Sequence, residues 1–230
     1  FRYQISVMND IPDGKGGVAA IIPLPADWKM NSEGAVLAGP NGIRVKDYAG
    51  QSFMVNYDQN LNYAYSQTKM RSMPNIEQLI QEDFIPTLGN QGLEYVKSYE
   101  IPEISKMDKW YSDQLFKAMP SQSFAKAFGS EWKDKSGKPY FVLIHVNASE
   151  TQQMQNWYYM YSILEADADA YEKAKKAYIF ALANTRYNLE PIMAYNKAEA
   201  QRVGQNWAAF NQRMAANQAA FESSQRAFVN

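Results

Sequence analysis

Phe141-Val-Leu-Ile-His-Val146 and Trp157-Tyr-Tyr-Met-Tyr-Ser-Ile-Leu164, followed by Asp167-Ala-Asp-Ala-Tyr-Glu172, decide how this chain is read. The first run is short, unbroken and apolar, as in a strand buried on both faces; the second is rich in the aromatic and β-branched residues that pleated surfaces favour. The polar link from Asn147 to Gln155 suits a hairpin and is too short for a parallel crossover. The two runs are therefore predicted to be neighbouring antiparallel strands. The acidic stretch after them suits the positive end of a helix, and Tyr171, Ala174, Tyr178, Ala181 and Leu182 follow at helical spacing.

Working outward, Ser123 to Trp132 alternates large and small residues and turns at Asp134-Lys-Ser-Gly137, which completes a three-strand meander. Asn75 with Gln78 three residues on marks a helix start, with Ile76, Leu79, Ile80 and Phe84 on one face and an end expected at Pro86 and Gly89. Leu93 to Ile101 reads as a strand, and a short helix should hold Trp110, Leu115 and Phe116. Nearer the start, Tyr3, Ile5 and Val7 alternate as in a first strand, Pro12 to Gly17 forms a turn, and Val18 to Ile22 is a second strand. Lys15 in that turn is not followed by Ser or Thr, so the glycines do not make a phosphate loop. Pro23 and Pro25 argue against continued central pairing. Strand pieces follow at 34–38, 43–48 and 52–57, with turns at Gly39 to Gly42 and at Ala49-Gly50.

The strand leading into Pro25-Ala-Asp-Trp28, and the later order of helix, strand, meander and closing helix, resemble the PsbP-like α/β sandwich family over residues 18–186. What that resemblance implies is a central antiparallel sheet flanked by helices; it implies no functional residue. The segment after Pro191 departs from the family's pattern.

Composition narrows the chemistry. The chain has 230 residues, a formal net charge of −1 and no cysteine. Disulfides, thiol nucleophiles and sulfur-bound metal clusters are excluded, and the charge does not argue for a nucleic-acid surface. No apolar run is long enough for a transmembrane helix. The chain opens at Phe1, which fits a processed form and gives the expectation of an exported protein of a bacterial periplasm or cell envelope. His145 is the lone histidine and reads as a satisfied sheet residue. Asp167, Asp169 and Glu172 are the best local cluster for a hard cation, but helix capping explains them more simply and no EF-hand pattern is present. There is no Gly-x-Ser-x-Gly elbow for a hydrolase nucleophile. Glu131 and Glu165, on adjacent parts of the meander, form the one carboxylate pair a glycosidase-like hydrolase could use. No catalytic, cofactor-binding or metal-binding residue is assigned and no cofactor is expected. Trp157, Tyr159 and Tyr161 share one strand face and Tyr158 and Met160 the other, so a face left uncovered by helices would be an aromatic platform.

After Pro191, Met193, Ala200, Trp207, Met214, Phe221 and Phe228 recur every seven residues, with Val203 and Phe210 offset as a second heptad position. Such a helix exceeds the span of the domain before it, so part of it should overhang or bend, with Gly204 the natural place for a bend. The stripe either packs back on its own domain or meets another copy or a protein partner, through Trp207, Phe210, Met214, Phe221 and Phe228. The expected architecture is α+β: a mainly antiparallel sheet with packed helices over residues 1–186, then a C-terminal helical arm over 187–230. The expected function is a non-catalytic binding or structural module, with the carboxylate hydrolase as the alternative.

Overall fold

A computed structural model describes residues 3–8, 20–30, 36–57 and 69–229, and in it the run Phe141 to Val146 lies deep inside a seven-stranded antiparallel sheet. Phe141, Val142, Leu143 and Ile144 are fully buried, so both faces of this strand are covered, as an unbroken apolar run requires. The meander is β7 (Gln122–Lys133), β8 (Pro139–Glu150) and β9 (Met154–Glu165). It is extended on one side by β6 (Glu94–Glu100) and on the other by β5 (Arg44–Asn56), β4 (Val36–Ala38) and β3 (Lys29–Met30). At the outer margin β6 carries Glu94, Lys97 and Glu100 and slips register between Tyr95 and Lys97.

Helices cover both faces of the sheet. On one lie α1 (Ile76–Leu79) and α2 (Ile85–Gly89), joined by a π turn at Ile80–Phe84, over Val142, Ile144, Trp157 and Tyr159. Asn75 caps α1 as its spacing predicts, its Oδ1 accepting from Gln78 N at 2.8 Å. Pro86 does not end this helix. Proline cannot donate a ladder hydrogen bond, and the π turn just before it, where Ile85 N donates to Ile80 O, takes up the resulting mismatch so that the chain stays helical to Gly89.

On the other face, α3 (Pro102–Gln114) and α4 (Tyr171–Ala183) pack with Phe141, Leu143 and Leu164. Beside them sits a second, three-stranded sheet in the order β1 (Tyr3–Met8), β2 (Ala20–Pro25), β10 (Arg186–Tyr187). β2 runs on through Pro23 and Pro25 but is not central there, as expected from proline. Those two residues pair only with β1, because β10 reaches no further than Ile21, so at the prolines β2 is an edge strand.

Ala49-Gly50 is likewise no turn. The pieces at 43–48 and 52–57 form one strand, β5, with a bulge between Tyr48 and Gln51. The turn at Gly39 to Gly42 is present, with Asn41 and Gly42 at φ of 56° and 66°. The turn expected at Pro12 to Gly17 lies outside the described residues.

The chain ends in α5 (Leu189–Val229), 41 residues and therefore about 62 Å of helix. Its helical bonding continues through Gly204. Its root is anchored: Ile192 is buried, and Asn196 accepts from Phe116 N at 2.8 Å and donates to the Gln114 carbonyl at 2.7 Å, just past α3. Beyond the root, Met193 and Ala200 on the heptad stripe are exposed. Among the described residues no helix is long and apolar enough to cross a membrane.

Candidate functional site

Strand alternation sets His145 and Asn147 of β8 on the same face as Tyr158, Met160 and Ser162 of β9, since His145 pairs with Met160 and Asn147 with Tyr158. This is the face under α3 and α4, and the two helices leave an opening over it. The opening is a cavity of about 420 Å³, walled by Asp108 and Tyr111 of α3, by Tyr178 and Leu182 of α4, by Ile22 of β2 and Tyr187 of β10, and by Leu37 of β4 and Val45 of β5. Tyr158 and Met160, 40% and 45% exposed, form its floor.

The polar centre of the cavity is a pair. His145 Nδ1 lies 2.6 Å from Asp108 Oδ2, within hydrogen-bond distance. Nε2 has no hydrogen-bond partner among the described residues. Around this pair the tyrosines keep their protons. Burial, then the negative charge of Asp108 and the neighbouring Tyr111, pushes Tyr187 up to about 12 and also raises Tyr158. Tyr178, raised by burial and then by Asp47, shares a hydrogen bond of 2.8 Å with Ser162. Tyr111 packs on Tyr187 at a centroid distance of 4.6 Å, and Trp110 stacks on the same ring at 6.1 Å. The site thus offers two acidic groups, Asp47 and Asp108, an imidazole, phenolic hydroxyls and a broad apolar wall. It can hold and orient a small molecule. The Asp–His pair resembles half of a nucleophile-activating triad, yet among the described residues no serine or threonine hydroxyl is bonded to His145.

His145 is therefore a sheet residue, as read from the sequence, bonded through one ring nitrogen, and it also lines a cavity, which that reading did not include. The carboxylates proposed for hydrolysis do not meet. Glu131 pairs with Phe141, which pairs with Leu164, so Glu131 and Leu164 share a face and Glu165, the next residue, points away from it. Glu131 is further committed to Lys175 at 2.8 Å, Tyr99 at 2.9 Å and Tyr171 at 3.3 Å. Glu165 instead faces Lys138 at 3.4 Å.

The acidic stretch before α4 does not cap it by side chain. The cap position is Ala170, which makes no side-chain cap bond, while Glu172 in the first turn bonds Lys175. Among the described residues no group of three or more His, Asp or Glu side chains is placed to hold a metal ion. Trp157 and Tyr159 are buried rather than offered as a platform, covered by α1 and α2. Trp157 Nε1 donates to the Arg71 carbonyl at 2.6 Å and Tyr159 OH to Asp83 at 2.8 Å. Trp207, Phe210, Met214, Phe221 and Phe228 fall on α5, their side chains outside the described part.

Asp108, Tyr111 and Tyr187 went unnoticed in the sequence. Only the acidic residue on the helix expected near Trp110 could have drawn attention to α3, and nothing in its spacing ties it to position 145.

No family model and no curated protein matches this chain, so the PsbP-like resemblance gains no support. Among solved structures, LpqN, described as involved in cell envelope biogenesis of Mycobacterium tuberculosis, is similar over 80% of this chain and 91% of its own, at 12% identity and a TM-score of 0.32. A likeness of that degree carries no conclusion about this chain.

Proposed function

We propose that the chain is a non-catalytic binding module of a bacterial cell envelope, built as a sandwich domain over residues 1–186 and an arm over 187–230, whose arm joins it to a second copy of itself. The observation that carries this reading is the way α5 leaves the domain: an uninterrupted helix, anchored at Ile192 and Asn196, with Met193 and Ala200 of its apolar stripe uncovered. An amphipathic helix of this length gains little stability alone and buries its stripe against a partner. Charge permits self-pairing, since the arm carries four basic residues (Lys197, Arg202, Arg213, Arg226) and three acidic ones (Glu190, Glu199, Glu222). The bulky residues at the first heptad position, with Asn196, Asn217 and Ser224 at the second, favour an irregular bundle of arms over a regular two-stranded coil.

Sedimentation of the full chain over a hundredfold concentration range tests the reading. Mass should rise with concentration in the wild type and stay monomeric in a Trp207→Glu, Phe221→Glu double variant. A wild-type chain that remains monomeric throughout would overturn it. The envelope setting belongs to the same proposal, and fractionation of producing cells checks it, with recovery in the cytosol alone as the contrary result.

A further inference from the structure

Among the described residues, the acidic side chains Asp83, Glu131 and Asp108 are well covered by protein, and they are not treated alike. Asp83, 10% exposed, is held by Arg71 through two contacts of 2.7 and 2.9 Å. Glu131, 15% exposed, is held by Lys175 at 2.8 Å. Asp108, 16% exposed, has neither a lysine nor an arginine within ion-pair distance among the described residues, and its partner is the imidazole of His145. Asp108 thus faces a cavity beside an imidazole, where its two counterparts have an arginine or a lysine. A covered carboxylate without a cation is costly to maintain unless something else supplies the charge.

The cavity around it has the other features of an amine receptor. Its acidic lining groups are Asp47 and Asp108, and its lining holds no lysine or arginine to attract an anion. Tyr111, Tyr158 and Tyr187 surround Asp108 with aromatic rings, whose negative faces attract a cation. Ile22, Leu37, Val45 and Met160 give an apolar body something to pack on.

We propose that this cavity binds a small organic amine, its cationic nitrogen between Asp108 and the tyrosine rings and its apolar body over Met160. An ammonium N–H can donate to the Asp108 oxygen that His145 does not contact, leaving the Nδ1–Oδ2 bond undisturbed. This does not rest on α5 meeting a second copy, since every residue involved belongs to one of the two sheets or to α3.

Titration calorimetry on the full chain with three probes of one shape tests it: phenethylamine, 2-phenylethanol and 3-phenylpropionate, which are cationic, neutral and anionic near pH 7.5. The amine should bind at least about tenfold more tightly than the alcohol, and the carboxylate more weakly than both. Asp108→Asn keeps the shape and should bring the amine down to the affinity of the alcohol. Should that variant fail to fold, Met160→Trp, at a 45% exposed floor position, fills the opening and should abolish binding of all three while preserving the circular dichroism spectrum. Equal or tighter binding of the alcohol or the carboxylate, no binding of the amine at millimolar concentration, or a preference for the amine that survives Asp108→Asn would each overturn the proposal.

Discussion

Gly50 sits where β5 and β9 approach so closely that a Cβ would lie 1.6 Å from the Tyr159 carbonyl oxygen, a contact no side chain can make without moving backbone. Gly50→Ala should lower stability in urea by about 3 kcal/mol, whereas Gly204→Ala, with nothing within 4 Å of its added carbon, should not. Glu131 makes a second single-residue test. Burial by itself would raise its carboxyl, but hydrogen bonds from Lys175 and Tyr99 outweigh that and hold it below the ordinary 4.5. A carboxyl lowered in the folded state adds stability that is present above its unfolded value and is lost as pH falls through its folded one. Unfolding free energy should therefore drop as pH falls below about 4.5, and the drop should be smaller in Glu131→Gln, which is itself about 2 kcal/mol less stable at pH 7 because Lys175 loses its main acceptor. Single residues were also where the sequence was least informative. His145 announced itself by being alone, but its partner lies 37 positions away on a helix whose spacing says nothing of where it packs. The need for glycine at position 50 is set by β9, more than a hundred residues on, so locally it read as a turn.

At the scale of elements the local signals were strong wherever the two faces of an element differ or a cap is short-range. The meander, the strand at 94–100, the Asn75 cap and the closing helix all formed where alternation, turn chemistry or helical period placed them. What failed was punctuation that tertiary partners override: Pro86 is absorbed by a π turn and Ala49-Gly50 by a bulge in β5, whereas Pro23 and Pro25 do mark where β2 has a neighbour on one side only. If the π turn exists to accommodate proline, Pro86→Ala should leave stability within about 1 kcal/mol while the slowly exchanging amides of residues 84–88 change their pattern in hydrogen exchange. The junction of α3 and α5 gives a second test at this scale. Asn196→Leu removes both hydrogen bonds to the chain after α3 and should cost about 1–2 kcal/mol, with faster amide exchange at the root of α5; an unchanged exchange pattern would mean that Ile192 alone fixes the arm.

Considered as a whole molecule, the chain combines a three-layer sandwich, with a cavity on one face of its large sheet, and a helix that extends beyond it. Since residues 193, 194, 195, 197, 198 and 200 to 202 are exposed, the sandwich should unfold without reference to the far part of the arm. Removing residues 204–230 should leave the thermal midpoint of the near-ultraviolet signal unchanged at low protein concentration, and a fall of several degrees would mean that the arm supports the sandwich. The length of the arm was legible from seven-residue recurrence, but its direction was not, because an apolar stripe is written alike whether it folds back or reaches out.

The outer strand β6 matters for what such an assembly can tolerate. Proteins gathered at high local density risk zipping together along open strands, strand upon strand, into fibrous deposits. Here that rim is short, slips register within two residues of its start, and carries alternating acidic and basic charge at Glu94, Lys97 and Glu100. Copies crowded side by side would therefore find at β6 no long, uncharged backbone edge to add to.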